Sequence, residues 1–337
     1  MKDLYMTLPP FAPDYGGACE VLYELGGLVL ICDASGCTVN YVSYDEPRWH
    51  TRPGNVFCSG LTEIDAVMGN DEALIEKALR AAEILHPNFI AYIGSSVPMI
   101  VGTDFPGIAR ETEERSGIAS FGFDCNGIRS YIEGAGRVME ALVTRFSSEK
   151  TEDSGTILLG LLPLDDADLS ASEKVYGLFQ DVRLSLSYHC AFEDLKTVQN
   201  GKESLVLSRA GLPAARYLEE TYGIPYSVGF PFQKCSRAHK KTLVIGEDVR
   251  AASLSRALGN ADALDLFSKD GLADFHTADE DEIKKIVADY DNVIADPVFR
   301  PLVRGNFVPM PTVSVSGGIY KEAVSMLDTE GIARLLV

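Results

Sequence analysis

The sequence predicts an α/β protein built from two to three Rossmann-like units, each with a doubly wound parallel sheet. Two observations support this fold class: short apolar runs alternate with amphipathic stretches, and the alternation restarts after polar breaks in the chain. Strand–helix–strand alternation is typical of parallel sheets whose strands are joined by helical crossovers. A chain of 337 residues is also too long for one ordinary hydrophobic core, so more than one unit is expected.

The first predicted unit spans residues 1–150 and shows the alternation most clearly. It starts with a short apolar run at 26–32, which is typical of a buried strand. A helix is predicted at 70–85, because apolar residues recur at helical spacing, Asn70 can cap the first turn and acidic residues follow it. The remaining elements of this unit are a strand at 88–94, a helix at 103–117 and a strand at 118–123.

A polar stretch at 147–155 indicates the first boundary between units, since such stretches separate periodic segments. The second unit is predicted at 151–238 and the third at 239–337. The pattern is less clear in the third unit than in the first two. The strands predicted in these two units are 156–163, 182–188, 203–208, 242–246 and 292–296, and the helices are 171–180, 211–223, 247–258 and 281–290.

The charge of the chain argues against two classes of partner. Its 30 basic and 49 acidic residues give a net charge of −19, which repels nucleic-acid phosphates and anionic lipid. No apolar run reaches the roughly 18–20 residues of a membrane span, and the first residues lack an apolar core of signal-peptide length. We therefore expect a cytoplasmic protein with no nucleic-acid or membrane partner, whose seven cysteines are reduced thiols or metal ligands.

The usual catalytic motifs are missing from the sequence. Gly122 and Gly127 are followed by Ile128 and Arg129, so they do not form the phosphate-binding loop of a nucleotide site. The two glycines at 134–139 fall within a predicted helix, and the histidines show no metal-site spacing. The sequence contains no Gly-x-Ser-x-Gly nucleophile motif. We therefore predict that no nucleotide binds to this chain.

Four stretches together resemble a known family in their order and spacing. They are Gly36–Cys37 after the first strand, followed by 56–79, 93–118 and 209–226. The series resembles nitrogenase component 1 and its relatives, including the dark-operative protochlorophyllide reductase and the reductase of nickel-tetrapyrrole biosynthesis. The resemblance implies a nitrogenase component 1-like fold of three Rossmann-like domains, with a trimmed third unit, and a twofold dimer. It also implies an iron–sulfur cluster where the first domains meet and an ATP-hydrolysing iron protein that docks over it.

Each cysteine ligand position of the family can be compared separately with this sequence. Gly36–Cys37 matches the family's Gly-Cys, and the resemblance makes Cys37 the expected metal ligand. The first of the family's other cysteine positions falls close to Phe11, where Asp14 is the nearest donor. The second falls at Val97, beside Ser96. The third falls near Leu207–Ser208. One of the four cysteine positions is therefore kept.

The candidate site residues carry alternative interpretations. Cys37 is either a ligand or a buried thiol, and Asp14, Cys19 and Cys58 are the candidates for the remaining cofactor ligands. Cys19 lies in a predicted helix, where core packing is the alternative, and Cys58 follows a strand-like segment near a loop. An aromatic and charged loop follows Cys37, and it is interpreted either as a partner-docking or substrate-lining loop or as a surface or dimer contact: Tyr41, Tyr44, Asp45, Glu46, Arg48 and Trp49.

Two functional hypotheses remain from the sequence. The first is an oxidoreductase: a nitrogenase-like reductase component that accepts electrons from the iron protein through a cluster at a homodimer interface. The second is a non-catalytic scaffold or binding protein that keeps the fold without the metal. In either case we expect a homodimer joined largely through residues 1–60.

Overall fold

Three separate parallel sheets organise the chain in the computed structural model, which describes residues 6–235, 240–319 and 327–337. Every strand pairing within these sheets is parallel, and helices connect most successive strands, although no helix lies between residues 265 and 275. The predicted fold class, an α/β protein with Rossmann-like parallel sheets, is confirmed.

The first sheet has the order β2-β1-β3-β4. Its strands are β1 (Leu28–Ile31), β2 (Val56–Cys58), β3 (Ile90–Ile93) and β4 (Ser120–Phe123). The helices of this unit are α1 (Asp14–Leu22), α2 (Gly36–Asn40), α3 (Glu63–Met68), α4 (Asp71–Leu85), α5 (Ser96–Val101), α6 (Phe105–Ser116) and α7 (Tyr131–Phe146). Helix α4 forms as predicted: Asn70 accepts a hydrogen bond from the Ala73 N–H, and Ile75, Ala78 and Ala82 face the core.

The second and third sheets have the orders β6-β5-β7-β8 and β11-β10-β9-β12-β13. The second contains β5 (Thr156–Leu159), β6 (Val182–Leu186), β7 (Glu203–Val206) and β8 (Tyr226–Val228), with helices α8 (Leu169–Tyr176), α9 (Phe192–Leu195) and α10 (Leu212–Tyr222). The third contains β9 (Thr242–Gly246), β10 (Ala261–Asp265), β11 (Phe275–His276), β12 (Asn292–Ala295) and β13 (Asn306–Pro309), with α11 (Asp248–Leu258), α12 (Glu280–Val287), α13 (Val313–Ser316) and α14 (Thr329–Leu335).

Helices α1 and α7 cross so closely that only glycine fits at two contact points. A Cβ atom on Gly17 would lie 2.1 Å from the Tyr131 carbonyl oxygen, and one on Gly134 would lie 1.9 Å from the Asp14 carbonyl oxygen. Both distances are far below van der Waals contact, so a side chain at either position would push the helices apart. This contact fixes the start of α1, which supplies two residues discussed below.

Each sheet lies within one of the three predicted units, although the unit boundaries themselves stay predictions. The second predicted boundary, at 238–239, lies outside the described residues. Near the start of the chain, Leu8 and Phe11 pack against the core of the third sheet. The predicted first unit is therefore in direct contact with the third. None of the helices within the described ranges is long and apolar enough to cross a membrane.

Candidate functional site: the Cys37 pocket

Cys37 lies just beyond the carboxyl end of β1, in the first turn of the short helix α2. Asp33 Oδ2 accepts hydrogen bonds from the backbone N–H groups of Cys37 and Thr38, at 2.7 and 3.4 Å. This carboxylate fixes the turn that carries the thiol. Helix α2 continues directly into a π-helical turn, Tyr41–Asp45. Because π-helical turns are rare and occur frequently at functional sites, this local irregularity marks the segment as a candidate site.

The Cys37 thiol is half-buried among polar groups of the first unit. It is within hydrogen-bonding reach of the Tyr15 hydroxyl, the Ser95 side chain and the Ser96 backbone N–H. Burial raises the pKa of the Cys37 thiol, and the negative charge of Asp33 adds to the rise. Burial likewise raises the pKa of Tyr15. Both groups therefore hold their protons at neutral pH unless a bound cation displaces them.

The thiol opens into a cavity of about 410 Å³ between the first and third units, which we call the Cys37 pocket. Three parts of the chain form its wall: residues 9–13, the α2 and π-helical segment, and residues 313–317. Gly317 approaches the Tyr44 side chain closely, since a Cβ atom there would lie 3.3 Å from the Tyr44 Cβ. Among the described residues that line the pocket, Cys37 is the one cysteine.

Asp45 is the acidic group of the Cys37 pocket. It is buried, and its Oδ2 accepts a hydrogen bond from Asn40 Nδ2 at 3.1 Å. Burial raises the pKa of Asp45 from its usual 3.8 to about 7, and the charge of Glu46 adds to the rise. Asp45 can therefore gain or release a proton near neutral pH, unlike an ordinary aspartate.

The other predicted cofactor ligands are not brought into the Cys37 pocket. The Asp14 carboxylate accepts hydrogen bonds from the N–H groups of Asn126 and Gly127 and from Arg129 Nε, so it holds the turn after β4. Cys19 is fully buried in the core of the first unit. Cys58 donates its S–H to the Asp33 carbonyl oxygen at 3.2 Å. Sequence reasoning could not foresee these partners, because they come from distant parts of the chain.

The residues of the predicted partner or substrate loop divide into those that pack into the core and those that line the Cys37 pocket. Arg48 is fully buried: its Nε donates to Glu46 Oε1 at 2.7 Å, and its Nη1 donates to the Ser187 carbonyl oxygen of the second unit at 2.7 Å. Tyr41 is also fully buried and donates to Glu46 Oε2 at 3.0 Å. The half-buried Trp49 packs against the core. Only Tyr44 and Asp45 of this loop line the Cys37 pocket.

Side chains of all three units pack together near Leu207–Ser208, which the sequence resemblance predicted as the counterpart of a cofactor cysteine position. Leu207 is fully buried there. The rings of Tyr131 and Phe267 pack edge to face with their centroids 4.9 Å apart, and Tyr131 donates a hydrogen bond to Asp165. Arg250 forms ion pairs with Asp165 and with its neighbour Asp166. This three-unit junction is thus held by aromatic packing and buried ion pairs.

An exposed apolar face lies beside the Cys37 pocket on the paired helices α3 and α5, and we call it the α3/α5 face. Helix α5 starts at Ser96, which also lines the pocket. Ile64, Val67, Met68 and Ile100 are each at least 75 % exposed. Contiguous exposed apolar residues are typical of protein–protein contact sites. The sequence analysis did not identify this face, although the run of apolar residues at 97–101 was a visible signal.

Three successive parallel α/β units, with a Gly-Cys turn beyond the carboxyl end of the first strand, place the chain in the class of multidomain α/β proteins. A sequence model of the family described as "Nitrogenase component 1 type Oxidoreductase" matches residues 13–233. The chain therefore belongs to the nitrogenase component 1 type oxidoreductase family. This agrees with the family predicted from the sequence.

One curated relative is similar to part of the chain, and two solved structures share its fold. The chain is 23% identical over 177 residues to the nitrogenase molybdenum-iron protein alpha chain of Methanosarcina barkeri, a match that covers 50% of this chain and 33% of that one. The match thus spans about a third of the length of this curated relative. The structure is similar to "Nitrogenase Cp1 at pH 6.5", with a TM-score of 0.72 and 14% identity, covering 99% of this chain and 93% of that chain. It is also similar to "Nitrogenase Cp1 at pH 5", with a TM-score of 0.70, 13% identity and coverage of 99% and 89%.

Proposed function

We propose that this chain is a nitrogenase-like reductase component that docks an ATP-hydrolysing iron protein and accepts its electrons at the Cys37 pocket. The observation that carries the proposal is the position of the exposed α3/α5 face directly beside this pocket. Ser96 belongs to both, because its backbone N–H faces the Cys37 thiol and its residue starts α5. A partner seated on the face would therefore be close to the thiol.

The chemistry of the face fits a protein partner. Its exposed side chains are aliphatic or methionine, which bury apolar area on contact without requiring a matching charge. The chain as a whole carries a net charge of −19 and repels other acidic surfaces. An apolar face is thus the part of this molecule best suited to hold a partner by contact.

The pocket's donors do not fit the family's cluster held by cysteine thiolates alone. A four-iron cluster takes four thiolate ligands, and one chain contributes a single thiol to this pocket among its described lining residues. A twofold homodimer would bring two Cys37 thiols together. The other side-chain donors that line the pocket include the oxygens of the Tyr15 hydroxyl and the Asp45 carboxylate. We derive no step through a four-cysteine cluster.

The chain's own residues can supply protons to a reduction. Asp45, with a pKa of about 7, is partly protonated at neutral pH and lines the same cavity as the Cys37 thiol. Tyr15 stays a neutral phenol and can donate a hydrogen bond to a bound group, because burial raises its pKa. Reduction of a small molecule consumes protons together with electrons, and these two groups stand where they would be needed.

Iron and sulfide content tests the redox part of the proposal. Wild type, Cys37→Ala and Cys235→Ser are purified without oxygen and compared by iron content, sulfide content and visible absorption. Cys235 is a half-buried cysteine outside the Cys37 pocket, so it is the matched control. The redox proposal requires an iron centre held by Cys37 together with oxygen donors, so we expect iron in wild type and in the control, and its loss in Cys37→Ala. A Cys37→Ala protein that keeps all its iron would contradict the assignment.

Binding of a purified iron protein tests the docking part. Met68→Asp places a charge on the α3/α5 face and is expected to weaken binding at least about tenfold, since charges at the core of an interface are costly to desolvate. Ile84→Asp is the control, because Ile84 is equally exposed at 78% on another helix, α4. Equal effects of the two substitutions on binding would contradict docking at this face.

The scaffold hypothesis is favoured by one specific observation, the single thiol that the chain contributes to the pocket among its described lining residues. In that case the chain would bind a partner or small molecule without electron transfer. The same iron analysis separates the two functions. If wild type holds no iron even after anaerobic reconstitution, the reductase proposal fails and the scaffold proposal replaces it.

A further inference from the structure

Asp248, Asp265 and His276 lie together at the carboxyl ends of three neighbouring strands of the third sheet. Asp265 ends β10 and is paired with Gly246 of β9 and with His276 of β11. Residues paired across parallel strands point to the same face, which brings the Asp265 carboxylate beside the His276 ring. Asp248 starts α11, two residues after Gly246. One ligand atom from each of the three side chains lies within 4.8 Å of the others.

The three donors have the composition of a transition-metal site. The two aspartates are 1% and 0% exposed, so two carboxylates lie close together away from water. Buried like charges repel unless a cation or protons compensate them. His276 Nδ1 lies 3.4 Å from Asp265 Oδ2, longer than a normal hydrogen bond, so the ring nitrogen is not firmly engaged. The imidazole distinguishes this group from an ordinary acidic cluster.

Backbone N–H groups of residues 267, 268, 272 and 273 donate to the two carboxylates, and a guanidinium that has a second partner lies beside Asp248. Arg209, from the second unit, lies 3.2 Å from Asp248 Oδ2 through its Nη1 and 2.6 Å from Asp270 Oδ1 through its Nη2. The Asp270 side chain is 88% exposed. Arg209 can therefore turn outward onto Asp270 and leave Asp248. A metal ion and Arg209 would compete for the Asp248 carboxylate.

We propose that Asp248, Asp265 and His276 bind one first-row divalent metal ion, and that the ion displaces Arg209 from Asp248. Imidazole nitrogen combined with carboxylate oxygen suits Zn²⁺ and Mn²⁺, whereas Ca²⁺ and Mg²⁺ prefer oxygen ligands alone. The site lies outside the Cys37 pocket and is independent of the proposed reductase function. Because Arg209 belongs to the second unit, metal binding loosens an ion pair between the second and third units.

Calorimetry on the full chain tests the site. Protein stripped with a chelator is titrated with ZnCl₂ and, separately, with MnCl₂ in the presence of excess Mg²⁺. We expect one ion per chain, bound more tightly for Zn²⁺ than for Mn²⁺, as the general order of divalent affinities requires. His276→Ala should weaken Zn²⁺ binding at least about tenfold, because loss even of groups outside the ligand set costs about 10–100-fold. Failure of wild type to bind Zn²⁺ would overturn the proposal.

Two further variants separate loss of the site from loss of the fold. Arg209→Gln removes the competing cation and should tighten Zn²⁺ binding, a result that a damaged protein cannot give. His189→Ala is the control, since His189 pairs with Glu173 at 2.7 Å in the second unit. Binding that is unchanged in His276→Ala, equally weakened in His189→Ala, or weakened in Arg209→Gln would each overturn the assignment.

Discussion

Replacing Asp45 by Asn is expected to remove a pH-dependent loss of stability from the Cys37 pocket. Asp45 is 5% exposed, and burial raises its pKa from the usual 3.8 to about 7, with the charge of Glu46 adding to the rise. Asn has nearly the same shape and can still accept the hydrogen bond from Asn40. The substitution therefore keeps the packing of the pocket and removes the titrating carboxyl group.

The sign of the effect follows from proton binding. Between about pH 4 and about pH 7, folded Asp45 keeps a proton that the unfolded chain has released. The folded state then binds more protons than the unfolded state, so the free energy of unfolding falls as the pH rises through this window. The loss is about 1.4 kcal/mol per pH unit and reaches about 4 kcal/mol by pH 7. Below and above this window, Asp45 carries the same charge in the folded and unfolded states. Its contribution to the free energy of unfolding then no longer changes with pH.

Urea unfolding of wild type and Asp45→Asn at pH 5, 6.5 and 8 measures this difference. From pH 5 to pH 8 we expect the variant to gain about 2–3 kcal/mol relative to wild type. Asp289→Asn, a change at an exposed aspartate of the third unit, is the control and should show no comparable gain. If wild type and Asp45→Asn showed the same pH dependence, Asp45 would ionise freely in the folded protein, and the reasoning about a buried, protonated carboxyl would be refuted.

Three further predictions concern stability, assembly and ligand binding. Arg48→Met should lower the free energy of unfolding by about 3–5 kcal/mol, because it leaves Glu46 buried without its cation. Arg52→Ala, which removes an exposed partner of Glu24, should cost at most about 1 kcal/mol, and equal losses in urea unfolding would contradict this. Light scattering at micromolar concentration should show a homodimer joined largely through residues 1–60, and a monomer would disprove it. Calorimetry with MgATP should show no micromolar binding to this chain, since the sequence has no phosphate-binding loop, and such binding would overturn the prediction.

The fold was predictable wherever periodicity was strong. The buried runs that became β1, β3, β5 and β9 are short and apolar on both faces, as strands covered by helices must be. β10 and β11 were not predicted. β10 reads Ala-Asp-Ala-Leu-Asp, with two acidic residues in five, and β11 has only two residues. β10 pairs with β9, and β11 pairs with β10. This pairing stabilises strands whose own sequences do not favour them, and a local sequence pattern does not show it.

The candidate site was only partly predictable for a related reason. A Gly-Cys after a buried strand placed Cys37 at a sheet edge, where open α/β sheets bind ligands. The groups around the thiol come from separate places: Tyr15 from α1, Ser96 from α5 and residues 313–317 from the third unit. Asp14 is the donor nearest in sequence to the expected cysteine position close to Phe11, yet its carboxylate holds the turn at 126–129. Sequence spacing could not show that the oxygens of this carboxylate already accept hydrogen bonds from another part of the chain.

The loop after Cys37 explains how the pocket is tied to the rest of the molecule. The π-helical turn Tyr41–Asp45 contains an extra residue relative to an α-helical turn, so helical spacing does not predict which of its side chains face inward. Tyr41 and Arg48 point to the core, while Tyr44 and Asp45 face the cavity. Because Arg48 also bonds the Ser187 carbonyl oxygen of the second unit, the same short segment joins two units and lines the pocket. The contact with the second unit and the pocket wall are thus formed by residues that lie only a few positions apart in the sequence.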